Sequence, residues 1–212
     1  MEPLVVVGLG NPGPEYAATR HNAGFEVVDR LAAQLAAVPF ASTRSYTAVT
    51  ARVPGTEGRG LVLLKPLTYM NRSGDALIEY DARHGLTPER VLVVVDDVYL
   101  PLGQVRLRAE GSDGGHNGLA AIAAALGTTA YARLRIGVGR GDRETALRDH
   151  VLAEFSADEA PVYDTAVVTA CEAALTWAAE GAIPAMNRFN TRARDERVET
   201  RDERTKAPEG ER

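Results

Sequence analysis

The segment that most limits what this chain can become is Val91-Leu92-Val93-Val94-Val95, closed by Asp96-Asp97. Five consecutive large apolar residues, mostly β-branched, show neither the alternation of a half-exposed strand nor the spacing of a surface helix, so they predict a strand covered on both faces. A strand of that kind needs an apolar layer above and another below, which helices supply when they alternate with strands. The rest of the sequence has that alternation. Short apolar runs at Leu4–Val7, Tyr46–Val53 and Leu61–Leu64, with alternating patterns at Gln104–Arg108 and Tyr131–Val138, read as strands. Helical spacing marks Phe25–Ala36, Ser73–His84, Leu119–Leu126 and a longer Ala-rich stretch from Ala157 to Ala179. Ser156 with Glu159 forms a capping box before the last of these, and Gly181 stops it. The expectation is an α/β fold, a single-domain sandwich whose central twisted mixed sheet, mostly parallel, is flanked by helices.

Composition narrows this further. With 212 residues, 45% hydrophobic and 25% charged, the chain can build one substantial core and is no disordered or fibrous protein. No apolar run approaches the roughly 18 to 20 residues that span a bilayer, and Met1-Glu2-Pro3 does not begin a signal peptide. Cys171 is the only cysteine, so neither an internal disulfide nor a cysteine metal cluster is expected. A soluble cytoplasmic protein is the expectation, with no membrane association. Net charge is −5, from 24 basic and 29 acidic residues, which on average argues against a nucleic-acid partner. From Thr191 the composition changes to charged residues of both signs with Val198 as the one large apolar side chain. Residues 1–190 therefore read as the folded domain and 191–212 as a charged, disordered C-terminal tail.

Several loops carry chemistry. The first strand enters Gly8-Leu9-Gly10-Asn11-Pro12-Gly13, formally a dinucleotide-binding fingerprint. Pro12 and Pro14 interrupt the backbone donors that a pyrophosphate needs, and no acidic residue closes a second strand about 20 residues on, so a tight turn presenting Asn11 is the better reading. His21 follows in a loop before a helix and should share a sheet edge with Asn11. Asp96 and Asp97, at the end of the buried strand, either cap a loop or point into a site. A carboxylate that accepts from a histidine ring fixes the tautomer and stabilises the imidazolium, which suits water activation. No GxSxG elbow, Walker lysine, HExxH pair or cysteine beside a base offers another route. Lys65–Gly74 sets Tyr69, Met70 and Asn71 side by side, and Gly111–Gly118 sets His116 and Asn117 in a glycine-rich loop. Arg106 and Arg108 share one strand face, as do Arg133 and Arg135. They read either as a solvated surface or, on adjacent strands, as a positive strip suited to phosphates.

VVGLGNPGPEYAATRHNAGF, KPLTYMNRSG, VVDDVYLPLG, GSDGGHNGL, RLRIGVGR, VLAEFSADE and AMNRFN, in that order, closely resemble the bacterial-type peptidyl-tRNA hydrolase family over about residues 4 to 190. The resemblance implies a monomer that cleaves the ester between a peptide and the tRNA 3′ end, recycling tRNA from prematurely released peptidyl-tRNA, without cofactor or metal. It implies His21 as general base, Asp96 as its partner, and Asn11 as the residue that distinguishes blocked from free aminoacyl ends. Tyr16, Tyr69, Asn71 and Asn117 match positions contacting substrate. The same resemblance implies that Met70 lines the peptide groove, that Gly114 forms a wall of the cleft and that His116 is a supporting residue. Arg106, Arg108 and Arg135 match positions that grip the acceptor stem below the CCA end. The chain departs from the family pattern at Tyr99, commonly acidic, at Asp113, usually small or histidine, and at Gly141, often proline. A non-catalytic RNA-binding protein and a nucleotide-dependent oxidoreductase are the competing readings.

Overall fold

Strand β5 (Val91–Asp97) sits inside a seven-stranded sheet ordered β2-β3-β4-β1-β5-β7-β6 in a computed structural model that describes residues 2–56, 58–141 and 146–190. The other strands are β1 (Leu4–Gly8), β2 (Val38–Ser42), β3 (Tyr46–Arg52), β4 (Gly60–Pro66), β6 (Val105–Arg108) and β7 (Ala132–Gly137). The central block β4-β1-β5-β7 is parallel, and antiparallel pairing begins at β3 on one side and β6 on the other. The mixed α/β sandwich expected from the sequence is the fold that forms.

The buried run of β5 divides its side chains by parity. Leu92 and Val94 join one core with Val6, Leu61, Leu63 and Leu134. Val91, Val93 and Val95 join the other with Val5, Val7, Val62 and Leu64. Helices α1 (Ala23–Gln34), α5 (Ala160–Glu180) and α6 (Ala182–Phe189) cover the first face, through residues such as Val27, Leu31, Val167 and Phe189. Helices α2 (Ser73–His84) and α3 (Asn117–Leu126) cover the second with Leu77, Tyr80, Leu119 and Ile122. Each of these valines and leucines contributes about 1.5–3 kcal/mol on burial, so a polar residue within the run would disturb the layer that its side chain faces. Cys171 lies in the first core, and burial pushes its thiol pKa up to about 11, as suits a packing residue.

The two bonds of the expected capping box form: the Glu159 amide donates to Ser156 Oγ, and the Ser156 amide donates to Glu159 Oε2, but they close the turn before the helix, and α5 itself begins at Ala160. Three elements are absent from the sequence reading. β2 is an edge strand, largely exposed and interrupted by Pro39, and shows little apolar alternation. α4 (Leu147–Val151) is little more than one turn. α6 follows the Gly181 stop directly, and the Asn190 side chain after it hydrogen-bonds both the N–H and the C=O of Leu107 on edge strand β6. The charged tail expected at 191–212 lies outside the described residues. Among the described residues no helix is long and apolar enough to cross a membrane.

Candidate active site

Loops that leave the carboxyl ends of β1, β4 and β5 meet around a cleft of about 650 Å³. This is where open α/β sheets gather ligands, because strands that run the same way release their loops at one edge. Asn11, Tyr16, His21, Tyr69, Met70 and Asn71 line it from the first half of the chain. Asp96, Gly114, His116, Asn117 and Arg135 line it from β5 onward. Arg106 and Arg108 are not among the lining residues; they lie on β6.

Glycines set how closely α1 approaches the sheet. A Cβ at Gly8 would lie 2.1 Å from the Gly24 carbonyl oxygen, and one at Gly24 would lie 2.3 Å from that of Val94. Gly8 is therefore required for backbone contact between strand and helix, a need that has no connection with a pyrophosphate. The turn Arg20–Asn22, just before α1, lies against the end of β5.

His21 Nδ1 lies 2.8 Å from Asp96 Oδ1, and His116 Nε2 lies 3.1 Å from the same oxygen. The tautomer of His116 follows from its surroundings. Its Nδ1 accepts from the amides of Gly118 and Leu119, capping α3, so its proton is on Nε2 and is donated to Asp96. His21 likewise donates from Nδ1, leaving Nε2 as its basic nitrogen. Asp96 is 2% exposed. Burial alone would raise its pKa, but donation by His116 and His21 more than offsets that and holds the carboxyl well below the usual carboxylate range. His21, Asp96 and His116 also have the composition of a metal-binding trio. The polarity does not fit: His116 presents a protonated Nε2, and freeing that nitrogen for a metal would put a proton on Nδ1 and break the helix cap.

Asn11 is fixed from two sides. Its backbone N–H donates to Asn22 Oδ1 at 2.8 Å, and Asn22 Nδ2 donates back to the Asn11 carbonyl at 3.0 Å. Its side-chain Oδ1 accepts from the Met70 amide at 2.9 Å, which leaves Nδ2 as the donor available to the cleft. One short turn thus joins Asp96 through His21 and the Asn11 loop through Asn22.

The arginines divide into two kinds. Arg106 pairs across the ladder with Arg135, and Arg108 with Arg133, so the four do share one face of β6–β7. Arg133 is 1% exposed and donates to the carbonyls of Gly111, Ser112 and Thr129, which makes it a brace for the glycine-rich loop. Arg135 pairs with Asp97 at 3.0 Å and donates to the carbonyls of Ser112 and Asp113. Gly114 has φ of 64°, and a Cβ there would lie 3.2 Å from Arg135 Nη1, so both conformation and space favour glycine.

The sequence model of the family described as peptidyl-tRNA hydrolase matches residues 5–197, past Asn190, where the sequence blocks end. The chain belongs to the peptidyl-tRNA hydrolase family. Among its relatives, the peptidyl-tRNA hydrolase of Salinibacter ruber is 44% identical over 88% of this chain and 97% of its own length. That of Symbiobacterium thermophilum is 43% identical over 88% and 98%. The crystal structure of peptidyl-tRNA hydrolase from Acinetobacter baumannii superposes with a TM-score of 0.80 at 35% identity, covering 89% of this chain and 94% of that one.

Sequence reasoning missed part of the cleft. Leu147, Arg148 and Val151 of α4, with Leu152 just after it, form a wall, and Tyr99, 60% exposed, stands in the lining beside Asp97 and Val98. The only signal for α4 was apolar residues at positions 147, 151 and 152, too short a pattern to separate from a loop.

Proposed function

We propose that the chain hydrolyses the ester linking a peptide, or an N-blocked aminoacyl group, to the 3′ end of tRNA, with His21 as general base. The observation that carries this reading is the His21–Asp96 pair at 2.8 Å in a cleft lined by amide side chains, with no serine or cysteine nucleophile in the sequence motifs. A water near His21 Nε2 loses its proton to the ring while its oxygen attacks the ester carbonyl carbon. The imidazolium that forms is stabilised by the Asp96 carboxylate, whose charge is already held by two ring N–H donors. The tetrahedral oxyanion accepts from amide donors of the cleft such as Asn11 Nδ2. On collapse the carbon–oxygen bond to the ribose breaks, and the imidazolium returns its proton to that oxygen. The products are a peptide carboxylate and tRNA with a free hydroxyl.

Substrate selection follows from the same groups. A free α-ammonium next to amide donors loses its water without gaining a partner, whereas a peptide carbonyl accepts from them. The CCA end occupies the cleft, and the acceptor stem extends toward Arg106 and Arg108 on β6, which carries one side of a local positive surface within a chain of net charge −5. The protein acts as a cytoplasmic monomer. Incubation with N-acetylated and with free aminoacyl-tRNA tests this: release from the blocked substrate alone is expected, and tight RNA binding with no turnover would favour a binding role instead.

A further inference from the structure

We propose that Arg20 is a positioning residue that makes the His21 turn and the α4 wall of the cleft one mechanical unit, an inference that rests on reading His21 as the base. Arg20 is 5% exposed although it precedes a cleft residue. Its Nη1 donates to the Ala153 carbonyl at 3.2 Å and to the Glu154 carbonyl at 2.5 Å, and its Nη2 pairs with Glu159 Oε2 at 2.6 Å. The guanidinium lies over the Phe155 ring, 4.7 Å from its centroid. The backbone agrees: the Arg20 amide donates to the Ala153 carbonyl, and Thr19 forms an antiparallel bridge with Glu154. All these partners belong to the segment between α4 and α5, and α4 is the wall that carries Leu147 and Val151, with Leu152 directly after it.

Within α4, one residue before its C-terminal end, His150 ties the helix to the loop that leaves β7: its Nε2 lies 3.0 Å from the Gly139 carbonyl and 3.2 Å from that of Val138. The wall therefore has two anchors, one on the loop just after β7 and one on the residue adjoining His21. A planar fork that bonds two carbonyls and a carboxylate at once fixes orientation as well as distance, which an ammonium cannot reproduce. A shift of the wall would carry the backbone of His21 with it, so cleft width and the aim of His21 Nε2 are set together.

Arg20→Lys, Glu159→Gln and His21→Ala, assayed on N-acetylated aminoacyl-tRNA well below their melting temperatures, test the proposal. Arg20→Lys is expected to lower kcat about 10-fold and raise KM about 3-fold together, since a small misplacement of a catalytic group is costly. Glu159→Gln, which keeps both carbonyl bonds, is expected to shift each in the same direction by about 2- to 3-fold on that same scale. A folded Arg20→Lys protein that loses only thermal stability, with kcat and KM unchanged, overturns the coupling and leaves Arg20 a structural residue. Should that variant fail to fold, unchanged kcat and KM in Glu159→Gln overturn it. His21→Ala separates the two ideas: retained activity there removes the base, whereas loss there beside a normal Arg20→Lys removes only the coupling.

Discussion

His21 and His116 donate to one and the same carboxylate oxygen, Asp96 Oδ1, at 2.8 and 3.1 Å. The two rings are tilted 49° to each other with centroids 5.2 Å apart, so they approach that oxygen from different directions. Only His21 retains a free acceptor nitrogen, because His116 Nδ1 is engaged by the amides of Gly118 and Leu119. His116→Ala should therefore reduce kcat by roughly 10-fold, less than loss of a base, and cost about 1 kcal/mol of stability through the lost helix cap. Steady-state kinetics beside urea unfolding measure both, and a loss in kcat as large as that of His21→Ala would contradict the division of roles.

Asp96→Asn keeps the size of the side chain but removes the charge that stabilises the imidazolium. A drop in kcat of about 10² to 10⁴ with little change in KM is expected. The same carboxyl links folding to pH. Its folded pKa lies below the ordinary value near 3.9, so its stabilising contribution is complete above that value and is lost as pH falls toward the folded pKa. Wild-type stability should fall more steeply than that of Asp96→Asn between about pH 4 and pH 2, a window set by that ordinary value. Parallel curves in chemical denaturation would contradict it.

Asn22 does not line the cleft but exchanges two hydrogen bonds with the backbone of Asn11. Asn22→Ala leaves a buried N–H and C=O without partners, for a loss of about 2–4 kcal/mol. Asn11→Asp should behave differently. It preserves an acceptor for the Met70 amide and replaces the Nδ2 donor by a second oxygen. Its kcat/KM on blocked substrate is expected to fall about 10- to 100-fold, narrowing the ratio between blocked and free aminoacyl-tRNA. Kinetics on both substrates read this directly, and an unchanged ratio would remove Asn11 from substrate selection.

Arg106→Ala is expected to raise KM and flatten its salt dependence by about one charge, with kcat little changed. Arg133→Ala, which removes donors to three loop carbonyls, should instead lower stability by about 2 kcal/mol or more without changing the salt slope. KM measured across a salt series distinguishes the two, and an equal slope change in both would show that burial does not separate them.

Much of this architecture was legible because it depends on long local patterns. The β5 run required two apolar layers, and α2 occupies the residues its periodicity marked, Ser73–His84. Edge strand β2 and helix α4 were not legible: the first is mostly exposed with a proline inside, and the second is too short for a period to show. The lining residues Asn11, His21 and Asp96 stand out as polar groups at strand ends or helix starts. Arg20 and Asn22 do not, since their partners lie 133 to 139 and 11 residues away and nothing in a one-dimensional pattern pairs them. The charge average was misleading for a related reason. It sums over all surfaces, whereas the two neighbouring strands β6 and β7 decide where cations meet.

The central claim is that His21 takes the proton from the attacking water. Single-turnover hydrolysis of N-acetylated aminoacyl-tRNA by the wild-type protein and by a folded His21→Ala variant tests it most directly. A rate at least about 100-fold lower in the variant is predicted. A rate within threefold of wild type would contradict the account.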